Sequence, residues 1–489
     1  MSVNLRLDPL FNSHMVLQRD RTVPVWGKGE NGTQVVVRCG DVQVTALVEG
    51  EQWKVELPAR SAGGPFDLTI DSNEEHIVLN DVLFGDVWLA GGQSNMEWRL
   101  IDTTDATAEI ASAANSRLRF YNVPRVSYDD GAEHAGSWMQ CSPEEVGEWS
   151  GVGYYFAQRL AASLEDVPIG IVGCNWGGTS ASCWIPEEVL LSDPELRIYV
   201  DEFKQHMDKL DPHLAELEVQ RYQAAVDEFN RRQSEGLEGT ELGDYPWPPP
   251  LNLQSFLRPN GLYHTMILKT APYAIKGFIY YQGESDEMRP VLYERLLGLL
   301  IQTWRKDWGD ESLPFLFVQL PGHACMGGDA DGEQWALLRE SQWKVTQSVP
   351  HTALAVTIDC GERDDIHPRN KKPVGQRLAL VALHNVYGHN VISSGPIVQD
   401  VRVKESRVEL QFTHAEGLSA REGELVGFEL AGENGQYVVA TAVAHDNIVE
   451  VWNEQVAVPK AVRYAWANYP NANLINGAGL PAAPFRNNC

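Results

Sequence analysis

Cysteine is scarce in this chain: seven in 489 residues, an odd number and scattered, with no Cys-x-x-Cys pair. That excludes a disulfide framework and a paired-cysteine metal or redox site. Cys174 and Cys183 flank a glycine-rich turn and read as two buried thiols. A reduced, cytoplasmic setting is the expectation. Basic residues are also few, 39 Lys and Arg against 67 Asp and Glu, for a net charge of −28. Such an acidic excess argues against nucleic acid and anionic membrane surfaces as partners. Its simplest meaning is solubility. No run approaches the roughly 18 to 20 apolar residues of a spanning helix. The first twenty residues lack a basic start followed by an apolar stretch, so no export signal is expected. Internal repeats and low-complexity tracts are missing too. No His/Asp cluster at ligand spacing rises above chance, so a metal-dependent deacetylase is not expected.

What is present is a globular composition, 43% hydrophobic and 22% charged. The length calls for two or three domains. Residues 1–84 read as a β module, with short period-two runs punctuated by glycine turns. From about residue 85 apolar runs of strand length alternate with helical segments. Strands are expected at 87–90, 118–123, 169–172, 275–281, 315–320 and 353–358. Helices are expected at 154–164, 291–304, 334–348 and 373–386. That alternation implies an α/β domain over 85–388, with a mainly parallel sheet between helical layers. Residues 187–243 turn polar and helical and read as a solvated insertion. The segment Tyr245-Pro246-Trp247-Pro248-Pro249-Pro250 follows it. It is either a stiff linker or an aromatic rim on a pocket. Residues 389–489 return to a β pattern, a second β module.

Four short stretches follow strands of the α/β domain, near the carboxyl edge where open sheets place ligands. In Gly91-Gly92-Gln93-Ser94-Asn95-Met96-Glu97-Trp98, Ser94 stands where a strand hands over to a helix. Alone it reads as a helix cap. In Asn175-Trp176-Gly177-Gly178-Thr179-Ser180 the paired glycines let backbone N–H groups approach a ligand. In Tyr281-Gln282-Gly283-Glu284-Ser285-Asp286 the Gln282 amide is a neutral donor suited to an oxyanion. In Asp364-Asp365-Ile366-His367-Pro368 two acids lie close before a histidine. A serine hydroxyl is a weak nucleophile and needs a base whose tautomer is held by a third group. Serine, paired glycines, amide and Asp-x-x-His, in that order, form a coherent acyl-transfer set.

The order of these stretches resembles that of the SGNH hydrolases, and more narrowly the sialate O-acetylesterase family. Gly92-Gln93-Ser94-Asn95-Met96-Glu97-Trp98 carries the likeness most specifically. Gly177-Gly178-Thr179, Tyr281–Ser285 and Asp365-Ile366-His367-Pro368, with Asn370-Lys371 following, are similar to the family as well. Likeness extends to the flanks, at Met15–Gln18 and Gly477–Ala482, and so over nearly the whole chain. The resemblance implies a flavodoxin-like three-layer domain flanked by sandwich-like β modules. It implies a carboxylic ester hydrolase that removes acetyl groups from sugars without a cofactor. Ser94 is then the nucleophile and His367 the base. Oxyanion donors are the Ser94 N–H, an N–H of Gly177 or Gly178, and the Gln282 amide. The superfamily's spacing favours Asp364 as the acid, the family's own motif favours Asp365, and relatives with a Ser–His dyad leave a third arrangement open; Asp364 is the expectation. Gln93, Asn95, Trp176 and Glu284 are expected to contact substrate. The implied substrate is an acetylated mono- or oligosaccharide, either sialic acid or a hemicellulose fragment of xylan or xyloglucan type. A homo-oligomer is allowed. The competing reading is a non-catalytic carbohydrate-binding protein built on a degenerate esterase core.

Overall fold

The computed structural model describes residues 4–237, 239–243, 245–325 and 327–489. Its centre is a long strand, β1 (Glu75–Gly92). From Val82 to Gly92 every residue is buried. This is the continuous apolarity of a strand covered on both faces.

β1 is joined by β2 (Asn115–Asn122), β3 (Trp138–Cys141), β4 (Ile169–Asn175), β5 (Gly277–Tyr281), β6 (Phe315–Val318) and β7 (Thr352–Ala355). The spatial order is β3-β2-β4-β1-β5-β6-β7. Only the β2–β3 pairing, at one edge, is antiparallel among these. The run β4-β1-β5-β6-β7 has the flavodoxin-like order 2-1-3-4-5. Its switch point lies at β1, between β4 and β5, so the turns after these three strands share one crevice.

Helices cover both faces. On one, α2 (Gly151–Ser163) packs against α7 (Lys372–Asn385). On the other, α5 (Tyr293–Asp307) packs against α6 (Gln334–Ser348). α5 buries Leu296, Leu297, Leu300, Ile301 and Trp304, an apolar stripe at helical spacing. The insertion forms α3 (Arg197–Lys209) and α4 (Pro212–Ser234), with shorter helical pieces around them. α4 has no buried residue.

The N-terminal strands do not form a separate body. β1 pairs in parallel with Val16–Gln18 and antiparallel with Gly63–Ser72, so the expected boundary at residue 84 falls inside a single strand. The buried Asp86 carboxylate accepts from Arg19 at 3.0 and 2.9 Å, from Gln18 at 3.0 Å and from the Tyr387 hydroxyl at 3.0 Å. After α7 the chain builds two antiparallel four-stranded sheets. They enclose a core of their own that includes Val408, Leu410, Phe428, Val449 and Val462.

Candidate active site

The turn after β1 is stitched to both neighbouring strands. The Gln93 N–H donates to the Tyr281 carbonyl at 3.1 Å, and Trp176 N–H to the Gly92 carbonyl at 3.2 Å. Gly92 has φ +134°, and a Cβ there would lie 2.1 Å from the Tyr281 oxygen, so only glycine fits. The chain then enters α1 (Ser94–Glu97), one helical turn. Its end is tied to α2: the Ser150 hydroxyl donates to the Met96 carbonyl at 2.6 Å, and Gly151 N–H to the Trp98 carbonyl at 2.8 Å.

Ser94 and His367, 273 residues apart, meet here: Nε2 of the imidazole is 2.8 Å from Oγ. Trp98 stacks on the imidazole, with centroids 5.1 Å apart and planes at 19°. Burial, chiefly, and the nearby Lys371 cation push the His367 pKa down to about 4, against the pull of Asp365. The ring is therefore neutral at ordinary pH, the state in which it can accept a proton.

Neither aspartate orients that ring. Asp364 is solvent-exposed and pairs with Arg363 at 2.6 Å, which corrects the expected Asp-x-x-His arrangement. Asp365 accepts from the His367 backbone N–H at 2.8 Å and so shapes the loop. Local loop geometry wins because a short acidic side chain readily bonds a backbone N–H two residues on. The arrangement is a Ser–His pair.

The expected oxyanion donors also need correction. Both Gln282 amide hydrogens are engaged, with the Thr179 carbonyl at 3.1 Å and the Asp286 carboxylate at 2.7 Å. Asp286 is buried and also accepts from Ser180 Oγ at 2.7 Å, Ala181 N–H at 3.0 Å and the Tyr199 hydroxyl at 3.2 Å. A buried carboxylate needs such donors, and Gln282 serves it. Gly177 lies against Ser94, where a Cβ would come within 3.2 Å of the serine Cβ. Its N–H, however, donates to Glu97 at 2.6 Å. Gly178 is covered by Trp247. Among the described residues no acceptor is found for the Ser94 N–H.

Three of the four expected substrate contacts are internal struts. Gln93 accepts from Ser285 N–H at 3.2 Å. The Asn95 amide donates to Glu284 at 2.5 Å and to the Ile366 carbonyl at 2.9 Å, and its oxygen accepts from Lys371. Asn95, Glu284 and Lys371 are all buried. Burial lowers the Lys371 pKa to about 7 and raises that of Glu284. One Glu284 oxygen, Oε2, finds no partner among the described residues. Asn95 thus clamps the residue after the nucleophile to the residue before the base. The fourth, Trp176, is half-buried: Phe256 stacks on it at 4.4 Å and 8°, and the Arg125 guanidinium stands 5.9 Å from its centroid.

Ser94 and His367 open on a cleft of about 360 Å³, lined also by Glu97, Trp98, Asn122 and Asn175. Its charged walls are Glu97, Asp102 and Glu148 against Arg99 and Arg125. Each arginine is paired, Arg125 with Glu97 at 2.7 Å and Arg99 with Asp102 at 2.8 Å and Glu148 at 3.0 Å. Sequence reasoning missed Trp98, Asn175 and Arg125 as walls and Lys371 as a buried cation. Trp98 and Lys371 lie within the quoted motifs, but nothing local says where they point. No group of three or more metal-ligating side chains occurs among the described residues.

A family model for the carbohydrate esterase, sialic acid-specific acetylesterase domain matches residues 84–218 and 250–384. The two segments bracket the outer part of the insertion. The chain is 27% identical to the mouse sialate O-acetylesterase, covering 99% of this chain and 94% of the mouse protein. It is 25% identical to the human sialate O-acetylesterase, with 99% and 92% covered. Among solved structures, a carbohydrate acetylesterase from Xanthomonas citri superposes with a TM-score of 0.82 at 35% identity over 99% of both chains. A serine–histidine pair at a sheet's switch point, matched over its whole length by acetylesterases, makes this chain an ester hydrolase, and it belongs to the carbohydrate esterase, sialic acid-specific acetylesterase family.

Proposed function

We propose that the protein removes O-acetyl groups from sugars by a serine mechanism run by a Ser94–His367 dyad. The observation that carries this reading is the 2.8 Å contact between Ser94 Oγ and His367 Nε2 at the wall of an open cleft. Ser94 attacks the acetyl carbonyl while His367 takes the hydroxyl proton. The oxyanion forms against the Ser94 N–H. Asn175 lines the same cleft, and its amide has one hydrogen on the Ala90 carbonyl at 3.1 Å, leaving the second for that oxyanion. The sugar alkoxide leaves with the proton from His367. Water, deprotonated by the same imidazole, then releases acetate from Ser94.

The cleft favours an uncharged acetylated sugar, such as a hemicellulose fragment. A sialic acid would bring a carboxylate to walls whose acids outnumber their bases and whose two arginines are already paired. Sialic acid stays the second reading because the mammalian relatives are named for it. The same loss of function separates an enzyme from a binding protein. Ser94→Ala is expected to bring p-nitrophenyl acetate hydrolysis to near background and to abolish labelling by a fluorophosphonate. Wild-type rates from purified, folded Ser94→Ala would sink the dyad mechanism. A screen of acetylated sialic acids against acetylated xylo- and xyloglucan-oligosaccharides, read as released acetate, chooses between the substrates.

A further inference from the structure

The chemistry at Ser94 leaves unused a half-exposed tryptophan held stiffly beside the cleft. Trp247 is 50% exposed and has proline on both sides, Pro246 and Pro248. Proline fixes φ, so the segment loses little freedom when its tryptophan is engaged. It is anchored twice. The Tyr245 ring meets Phe229 of α4 edge-on at 5.3 Å and 86°. The Trp247 indole lies across Gly178, where φ is +75° and a Cβ would fall 2.0 Å from the ring. Any other residue at 178 would push the indole away.

Gly178 follows Gly177, which lines the cleft against Ser94, so the indole covers the residue next to the cleft lining. An aromatic surface links the two. Trp247 lies 6.5 Å from Phe256, Phe256 stacks on Trp176, and Trp176 carries Arg125, a wall of the cleft. Anchored as it is, Trp247 still keeps half its surface in water, open to a partner. Pyranose rings present C–H bonds on one face, and such positively polarised edges favour the negative face of an aromatic ring.

We propose that Trp247 is a sugar-stacking wall, which binds a pyranose unit next to the acetylated one and makes an oligosaccharide the preferred substrate. The insertion then has a purpose at the site: α4 and the proline-rich return segment deliver this side chain. The inference rests on the carbohydrate O-acetylesterase reading above.

The test measures kcat and KM for wild type, Trp247→Ala and Trp247→Phe. Probes are p-nitrophenyl acetate, acetylated xylotetraose with acetylated xylose, and an acetylated sialyl-oligosaccharide with its acetylated monosaccharide. For the oligosaccharide that wild type hydrolyses, Trp247→Ala is expected to lose roughly tenfold more kcat/KM than for p-nitrophenyl acetate, the size of one lost stacking contact and carried mainly by KM. Phenylalanine is expected to restore part of that loss. Equal losses on all esters would make Trp247 structural and overturn the proposal, as would an undiminished rate on the oligosaccharide. If wild type cleaves p-nitrophenyl acetate but no acetylated sugar, the carbohydrate reading itself fails, an outcome distinct from an insensitive Trp247.

Discussion

At the scale of the residue, the site turns on a histidine whose ring has no carboxylate bonded to it among the described residues. Its environment pushes the imidazole toward neutrality, through burial first and the Lys371 cation second. The sign follows directly. A base with a depressed pKa stays competent as pH falls and is lost only when pH passes through that pKa, here about 4 instead of the ordinary 6.5. The acid limb of kcat/KM for p-nitrophenyl acetate is therefore expected near pH 4. Lys371→Met removes a positive charge that disfavours imidazolium, so its acid limb is expected to move upward. An acid limb near 6.5 in both proteins would contradict this account. Ser94, Gly177 and His367 were legible as a group because each is marked by what stands beside it in sequence. The partners of Asp364 and Gln282 were not. Arg363 draws the first to the surface, and Asp286, held by Ser180, Ala181 and Tyr199, claims the second.

At the scale of the element, the nucleophile and the base sit on separate pieces of chain that must be held in register. α1 is a single turn and cannot be rigid alone. Asn95 supplies the tie: one amide reaches Glu284 after β5, the Ile366 carbonyl beside the base, and Lys371 just before α7. Asn95→Ala is expected to lower kcat by about 100-fold, the typical penalty for a catalytic group displaced by about 1 Å. Stopped-flow labelling with a fluorophosphonate checks it, since Ser94 reactivity should fall in parallel with turnover. Unchanged labelling and turnover would show that α1 holds its place without Asn95. Helix 334–348 was read from its sequence with its observed bounds, whereas the last strand was read as 353–358 and ends at Ala355. Helical periodicity repeats over many residues. A strand's end depends on where its neighbour stops pairing, which is a property of two segments.

At the scale of the whole molecule, the N-terminal strands Val16–Gln18, Gln34–Cys39, Val42–Leu47 and Gly63–Ser72 share one continuous sheet with the catalytic strands through β1, while Arg6–Leu7, Val23–Lys28 and Gln52–Leu57 form a three-stranded sheet of their own. Their side chains also share one core. A chain beginning at residue 84, where the family match starts, would lose the Val16–Gln18 partner of β1. It would also strip Arg19 and Gln18 from the buried Asp86. Taking the partners from a carboxylate that stays buried costs about 3–5 kcal/mol, a large share of a stability of about 5–15 kcal/mol. The truncated chain is expected to lack a cooperative thermal transition by circular dichroism. A fully active, cooperatively melting 84–489 fragment would show that the N-terminal strands are dispensable. The C-terminal sheets have a separate core, yet Val356 and Ile358, which follow β7, belong to it.

The sequence by itself determined the α/β class, the β character of both ends of the chain, and the turn, glycine pair and histidine from which the site is built. Periodicity, glycine placement and short-range motifs are local properties, and local physics suffices to read them. Only the tertiary structure decided which polar groups face Ser94 and which face inward. Glu284 and Gln282 look like catalytic equipment in one dimension, and Asp286 and Lys371 stand close to them in the same stretches or in the next. They are buried, and a buried polar group must find its partner among whatever the fold brings near. The same holds for Trp247, whose place beside Gly178 depends on where the chain returns from the insertion.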